Sequence, residues 1–225
     1  RGDALAFSPR WSLMVALASA VGLVLGVTMV SLNLLSVSLA ARAPIPDGGD
    51  PLERRTKGSP SAPVVITEWF DYQCPACRTY SLSREPEIER LYVDSGKVRF
   101  VSRNLPFLGP ESFLAAEAAE CAADQGRYWA YRTLLFQRWR GENVGAYSVE
   151  NLKRLASELG LDRGRFDACL DGGKYREAVL AEVREGSALG VRATPTFFIN
   201  GRPISGVPSV ERMGSLIEEE LARRR

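Results

Sequence analysis

A pair of cysteines stands where an apolar segment ends and a helical pattern begins, and this pair constrains the fold more than any other stretch. Residues 64–70 read VVITEWF, and such β-branched and aromatic residues are typical of a buried central strand. Cys74 and Cys77 follow, separated by Pro75 and Ala76. Proline suits the first turn of a helix because no amide hydrogen bond is lost there. The pattern therefore predicts a dithiol at the junction of a strand and a helix.

The helix that starts at the cysteines is expected to run toward Tyr92, with a bend at Pro86, which removes a backbone donor. Residues 97–103 (KVRFVSR) alternate like a second strand. From about 110 to 190, Ala, Leu, Glu and Arg dominate, and glycines divide the segment. This composition predicts four or five helices, at about 111–124, 128–140, 148–159, 162–170 and 174–189.

A hairpin and a helix are predicted to close the chain. Residues 196–199 (TFFI) read as a strand, and the Asn200-Gly201 pair after them is a strong hairpin signal. Pro203 favours an edge position for the returning strand, because proline cannot donate to a ladder. Residues 209–224 form an amphipathic helix with apolar side chains on one face. The order strand, helix, strand, helical block, hairpin, helix predicts an α/β fold.

The N-terminal part carries a run without charge, residues 12–41, after a short flank, residues 1–11. About 20 apolar residues span a bilayer core, so the run predicts a transmembrane anchor. A cleaved signal peptide is an alternative, because Ala41-Arg42-Ala43 resembles a cleavage site, but its apolar core is normally only ~7–15 residues. A buried core helix is a second alternative. More Lys and Arg follow the run than precede it, which argues against an exported domain under the positive-inside rule.

Residues 42–63 are rich in Pro and Gly and lack apolar periodicity. A segment of this composition cannot bury enough surface to fold alone. We therefore expect a linker here and assign the folded part to residues 64–225.

The composition leaves the chemistry to Cys, Asp, Glu, Lys, Tyr or the backbone. The chain has 225 residues, a formal charge of +2 and no histidine. A charge so near balance offers no field for nucleic acid, and the lack of histidine removes Cys-His nucleophile pairs and the usual metal ligand. Zinc on the cysteine pair needs two further ligands, which only Cys121 and Cys169 could supply. Their place in an Ala-rich helical block argues against this, so we expect no metal and no cofactor.

Several motifs together resemble the DsbA-like branch of the thioredoxin superfamily. They are EWFDYQCPAC, AAECAADQGRYWAY, FDACLDGGKY and GVRATPTFFINGR, followed by the final helix, and they cover residue 63 to the C-terminus. The resemblance implies a thioredoxin domain with a helical domain, about 110–190, inserted between its second and third strands. It also implies a cis peptide bond before Pro195, beside the dithiol. Ala76 stands where the best-known members carry His, which leaves the redox direction open.

The site residues follow from position and from this resemblance. Cys74 lies at a helix N-terminus, where amides and the helix dipole lower a thiol pKa, so we expect it to be the nucleophile. Cys77, one turn further on, is expected to be the resolving thiol. Glu68 stands where the family places a buried acid, and it is a candidate proton relay; the alternative is an ordinary carboxylate at the strand edge. The expected substrate-binding residues are Pro75, Ala76, Thr194 and Pro195.

Cys121 and Cys169 are expected to form a structural disulfide between two helices of the insertion. A disulfide closing a loop of this size stabilises by ~4 kcal/mol. Structural disulfides persist outside the cytosol, which favours an exported domain. The alternative is two buried free cysteines.

These features predict a membrane-anchored, single-pass thiol:disulfide oxidoreductase with its catalytic domain on the periplasmic or cell-surface side. The expected substrates are cysteine-containing exported proteins, and the resemblance implies a quinone-linked membrane protein that reoxidises the dithiol. The alternatives are a reductase or isomerase using the same residues, and a non-catalytic peptide-binding or holdase module.

Overall fold

The computed structural model describes residues 50–224. The predicted flank (1–11), the predicted transmembrane anchor (12–41) and the first part of the predicted linker lie outside these residues. Within residues 50–224, no helix has both the length and the apolar character needed to cross a bilayer.

The strands of the described region form one mixed sheet. They are β1 (Thr56–Lys57), β2 (Val64–Phe70), β3 (Val98–Asn104), β4 (Thr196–Ile199) and β5 (Arg202–Ser205). Their order across the sheet is β1-β3-β2-β4-β5. Only β2 and β3 run parallel, and the other neighbours are antiparallel. The predicted central place of β2 and the predicted edge place of the strand with Pro203 are both confirmed.

The helices of the described region follow the predicted order. They are α1 (Pro51–Arg54), α2 (Pro75–Ser83), α3 (Glu85–Ile88), α4 (Pro110–Ala123), α5 (Tyr128–Arg138), α6 (Val149–Glu158), α7 (Arg163–Asp171), α8 (Arg176–Ala188) and α9 (Val210–Ala222). The helical block from α4 to α8 lies between β3 and β4, so it follows the third strand of this chain rather than the second. The shift arises because β1 was not predicted.

The segment from the cysteines to β3 forms two separate helices and a π-helical turn rather than one bent helix. The helix α2 ends at Ser83, Pro86 lies in the first turn of α3, and residues Glu89–Val93 form one π-helical turn. Proline is accepted in a first turn because its missing amide has no partner there. The single bent helix predicted from the sequence was therefore wrong.

The second half of the predicted linker is folded. Thr56 and Lys57 pair with Val101 and Phe100 of β3. Arg55 between them and α1 is buried, and its guanidinium forms ion pairs with Glu120 at 3.2 Å and Glu182 at 2.7 Å. These contacts come from distant parts of the chain, so the segment does not need an apolar core of its own.

The buried apolar side chains lie on both faces of the sheet. On one face Val64 and Ile66 pack with Tyr80 of α2 and with Met213 and Ile217 of α9. On the other face Trp69 packs against the chain near α8. A separate, larger cluster fills the helical block and includes both cysteines of the pair. The dithiol thus lies where the sheet layer meets the helical block.

Candidate active site

The turn between β2 and α2 is held by the buried carboxylate of Asp71. One oxygen accepts from the Gln73 amide at 2.8 Å and the Ser112 hydroxyl at 2.7 Å. The other oxygen accepts from the amides of Phe107 and Leu108 at 2.9 and 3.1 Å. These four donors connect the loop after β3 and the start of α4 to Asp71, which lies three residues before Cys74.

The residue before Cys74 is also held by the loop that follows α5. The indole N–H of Trp139 donates to the Gln73 carbonyl at 2.8 Å, and the Asn143 amide donates to the Gln73 side chain at 2.6 Å. Asn143 has a φ of 52°, a conformation that asparagine tolerates better than most residues. The helical block therefore fixes the backbone that presents the first cysteine.

Cys74 is the N-cap residue of α2 and is 7% exposed. Its Sγ accepts from the Cys77 amide at 3.5 Å and lies 3.3 Å from the Thr194 carbonyl, to which the thiol donates. The pKa of Cys74 is lowered from 9.0 to about 6. The main cause is a hydrogen bond from the Cys77 thiol; the Thr194 side chain and the first amides of α2 add to it, against the effect of burial. At pH 7 the ratio of thiolate to thiol at Cys74 is then about ten.

Cys77 behaves in the opposite way. Its side chain is fully buried in the first turn of α2, and burial raises the pKa of its thiol well above 9.0. The neighbouring charges of Cys74 and Glu68 raise this pKa further. Only the thiolate form of a cysteine attacks a disulfide. The two cysteines are therefore chemically distinct, and Cys74 is the one prepared to react first with an outside sulfur.

The loop before β4 lies against Cys74. The Thr194–Pro195 peptide bond is cis, as the resemblance implied. Pro195 is buried, whereas Pro75 is exposed and Ala76 and Thr194 are partly exposed. The backbone contact between Thr194 and Cys74 brings the predicted substrate-binding residues to one side of the dithiol. Their role in binding substrate stays a prediction.

Glu68 is fully buried on β2, so it is not an edge carboxylate. Its Oε2 accepts from the Arg132 guanidinium at 2.6 Å, and its Oε1 has no hydrogen-bond partner within the described residues. The pKa of Glu68 is raised to about 8, mainly by burial; Arg132 opposes this shift, and the charges of Glu85 and Cys74 add to it. Burial therefore favours the protonated form of Glu68, and its role as a proton relay stays a prediction.

Cys121 on α4 and Cys169 on α7 form a disulfide with a Cα–Cα distance of 5.8 Å. The predicted pairing is confirmed, and the alternative of two free cysteines is not. Since these sulfurs bond to each other, they are not available as thiolates to complete a zinc site with Cys74 and Cys77.

Three groups that shape the site escaped the sequence analysis. Asp71 is buried and holds the loops next to the dithiol. Trp139 and Arg132 were not assigned any role. The signal for Arg132 was a basic residue on a helix whose neighbours Tyr128, Tyr131 and Leu135 are all apolar and buried, since a buried charge needs a partner.

Comparison with known proteins identifies a thioredoxin family model and several relatives. A family model described as thioredoxin matches residues 52–219. The Na(+)/H(+) antiporter NhaA 3 of Salinispora tropica is 33% identical over 178 residues, which cover 78% of this chain but 26% of the antiporter. The chain thus spans about a quarter of the length of this relative.

Two Bacillus proteins match over most of their length. The probable disulfide bond formation protein D of Bacillus anthracis is 28% identical over 174 residues, which cover 76% of this chain and 79% of that protein. The crystal structure of oxidised BdbD from Bacillus subtilis has a TM-score of 0.70 and 26% identity, and the match covers 75% of this chain and 92% of that structure. These matches confirm the resemblance drawn from the motifs.

Proposed function

Because the chain belongs to the thioredoxin family, we propose that it is a thiol:disulfide oxidoreductase that forms disulfides in exported proteins through Cys74 and Cys77. The observation that carries this proposal is the asymmetry of the two thiols. The pKa of Cys74 lies at about 6, whereas the pKa of Cys77 lies well above 9.0. A reactive thiolate beside a buried partner thiol is the arrangement that disulfide exchange requires.

The oxidation of a substrate proceeds in two exchanges. A substrate thiolate attacks Cys74 of the Cys74–Cys77 disulfide, and the electron pair of the broken S–S bond leaves on Cys77. Cys77 takes a proton, and the proposed donor is the Glu68 carboxyl, whose charge acts on Cys77. A second substrate thiolate then attacks the substrate sulfur of the mixed disulfide, and Cys74 leaves as a thiolate. The substrate has lost two electrons, and the protein dithiol has gained them.

The direction of electron flow is supported by the stability of the leaving thiolate. A low pKa stabilises the reduced form, and stabilising the reduced form makes the disulfide a stronger oxidant. The names of the Bacillus relatives, which are disulfide bond formation proteins, agree with this direction. Reduction or isomerisation of disulfides by the same residues is the alternative.

Broad recognition of unfolded chains is supported by the surface beside the dithiol. The Thr194 backbone lies beside Cys74 in the loop before β4, where an extended peptide can add as a strand. Phe107 is 51% exposed, and its loop is tied to Asp71 next to the cysteines. Backbone pairing and an apolar contact make few demands on the sequence of the substrate.

We also propose that the domain is held outside the cytoplasm by an N-terminal membrane anchor. The uncharged run of residues 12–41 supports the anchor. The disulfide between Cys121 and Cys169 supports an oxidising compartment. Reoxidation by a quinone-linked membrane protein completes the cycle, and this partner is proposed from the family resemblance alone.

The reduction potential of the Cys74–Cys77 pair tests the direction. Equilibration with glutathione buffers gives the potential, and we expect a value above that of thioredoxin, about −270 mV. A value at or below that of thioredoxin overturns the oxidase proposal and favours the reductase.

Trapping tests the substrates. In a Cys77→Ala variant the second cysteine cannot release a bound substrate, so mixed disulfides at Cys74 accumulate. We expect exported cysteine-containing proteins among the trapped chains, and a Cys74→Ser variant as matched control traps none. Equal trapping by both variants overturns the assignment of Cys74 as nucleophile.

A further inference from the structure

The buried guanidinium of Arg132 binds two carboxylates at once. Its Nη2 donates to Glu68 at 2.6 Å and its Nη1 donates to Glu85 at 2.7 Å and to the Ser81 hydroxyl at 2.9 Å. Arg132 is 1% exposed, Glu68 is fully buried and Glu85 is 5% exposed. One cation therefore serves two buried carboxyl groups, Glu68 on β2 and Glu85 on α3.

Aromatic rings hold the guanidinium in one orientation. Its central carbon lies 4.8 Å from the Phe70 ring, 5.4 Å from the Trp129 ring and 5.2 Å from the Phe136 ring. These ring faces attract the cation but offer no acceptor in competition with the carboxylates. The two donor ends of Arg132 are thus directed to Glu68 and Glu85 by packing as well as by charge.

The two carboxylates are not equally compensated. Glu85 has a second cation, because the ammonium of Lys57 on β1 lies 3.7 Å from its Oε1. Lys57 in turn binds Glu89 at 2.5 Å at the half-buried edge of the cluster. Among residues 50–224, Glu68 has Arg132 as its one cationic partner, and its Oε1 has no hydrogen-bond partner. Of the two, Glu68 is the carboxylate with one oxygen held and one oxygen left open.

We propose that Arg132 is a positioning residue of the dithiol site: by dividing its donors between Glu68 and Glu85, it leaves Oε1 of Glu68 as the oxygen that exchanges a proton with Cys77. This inference rests on the proposed function. Oε2 receives the Arg132 donor, so a proton on the carboxyl sits on Oε1. Arg132 favours the ionised form of Glu68, and Glu85 disfavours it, which sets the pH at which Glu68 can accept the Cys77 proton.

The charged and titratable groups that face Glu68 come from three elements. The helix α2 contributes Cys74, Cys77 and Tyr80; α3 contributes Glu85; and α5 contributes Arg132. Because Arg132 and Glu85 act on Glu68 with opposite sign, removing each in turn gives opposite results. A merely structural role for the cluster predicts no such opposition.

The test uses the reduced full-length protein and an aromatic disulfide reagent whose thiolate absorbs visible light. The Cys74 thiolate attacks first and releases one reagent thiolate, forming a mixed disulfide. Cys77 then gives its proton to Glu68 and attacks the Cys74 sulfur, and the second reagent thiolate leaves with the electron pair. The first phase reports the proposed function, and the pH midpoint of the second phase reports the proton acceptor.

In Arg132→Met, the midpoint of the second phase is expected to rise by about one pH unit or more, as for the loss of a close opposite charge. In Glu85→Gln, it is expected to fall by about one unit, since a like charge is lost. Arg132→Lys keeps the charge, so its second-phase midpoint is expected to lie close to the wild-type value. The first phase is expected to keep its wild-type midpoint in all three, because neither group is among the main causes of the lowered pKa of Cys74.

Glu182→Gln is the matched control. Glu182 is also a buried carboxylate bound to an arginine, Arg55, but it does not act on Glu68, so its second-phase midpoint is expected at the wild-type value. Shifts of the same sign in Arg132→Met and Glu85→Gln, or no shift in either, overturn the inference while the first phase still supports the dithiol chemistry. If Arg132→Met does not fold, Glu85→Gln alone decides: an unchanged midpoint overturns the inference.

Discussion

Replacing Thr194 by valine is expected to raise the pKa of Cys74. The Thr194 hydroxyl is buried and has no hydrogen-bond partner in the part of the chain that the structure describes, yet the Thr194 side chain contributes to the lowered pKa of the neighbouring thiol. A thiolate on Cys74 supplies the acceptor that the hydroxyl otherwise lacks. Valine keeps the shape of threonine and removes only the donor.

The size of the effect follows from one charge-assisted hydrogen bond. Such a bond contributes ~1.5–3 kcal/mol, which corresponds to ~1–2 pH units. The lower end applies, because the Cys77 thiol and the α2 amides also bind the thiolate. We therefore expect the pKa of Cys74 in Thr194→Val to lie ~1 unit above its wild-type value. The reduction potential is expected to fall by ~30 mV, since the reduced form loses ~1.4 kcal/mol.

The ultraviolet absorbance of the thiolate, followed against pH in the reduced protein, measures this shift. Thr196→Val is the matched control on the other side of Pro195. The Thr196 hydroxyl already donates to the Ala193 carbonyl at 2.7 Å, so its loss affects stability rather than Cys74. An unchanged Cys74 pKa in Thr194→Val, or an equal rise in both variants, would show that the Thr194 hydroxyl does not stabilise the Cys74 thiolate.

Further predictions concern stability. Replacing Cys121 and Cys169 together by alanine is expected to lower the free energy of unfolding by roughly 4 kcal/mol, because the bond joins residues 48 apart; denaturant melts that show less than ~1 kcal/mol contradict this. Gly186→Ala places a Cβ 2.9 Å from a buried indole ring, so we expect a loss of ~1–3 kcal/mol. Gly164→Ala in α7 meets only the capping carboxylate of Asp162, at an ordinary contact distance of 3.4 Å, and is expected to stabilise by ~1 kcal/mol at most. The lowered pKa of Cys74 stabilises the reduced fold fully above pH 9, and this stabilisation is lost as the pH falls toward 6. Melts of the reduced and oxidised forms between pH 6 and 9 are expected to show that the stability of the reduced form increases relative to that of the oxidised form as the pH rises. A difference in stability that does not change with pH contradicts the low pKa of Cys74.

The parts of the fold with local signals could be predicted from the sequence. The five helices of the block begin and end within two residues of their predicted bounds, because glycines and capping side chains mark them. Ser148 and Asp162, for example, each cap a helix with the side-chain oxygen, as predicted. The hairpin at Asn200-Gly201 also has its signal in two adjacent residues.

The parts held by distant charges could not be predicted. Arg55 is buried because Glu120 and Glu182 meet it, and nothing near residue 55 in the sequence indicates this. The composition of residues 42–63 therefore predicted a linker, although its second half contains α1 and β1. The same holds for the site: Cys74 and Cys77 stand out in the sequence, but the arginine that binds Glu68 lies 64 residues away.

The transfer of the Cys74–Cys77 disulfide to a reduced, unfolded secreted protein measures the proposed oxidase activity itself. Oxidised wild-type protein is mixed with the substrate, and the thiols of both chains are counted by mass after alkylation. We expect one new substrate disulfide for each protein dithiol formed, and none with Cys74→Ser. A substrate that keeps its thiols in the presence of the wild-type protein, or gains disulfides equally with Cys74→Ser, would show that the dithiol does not form disulfides in such substrates.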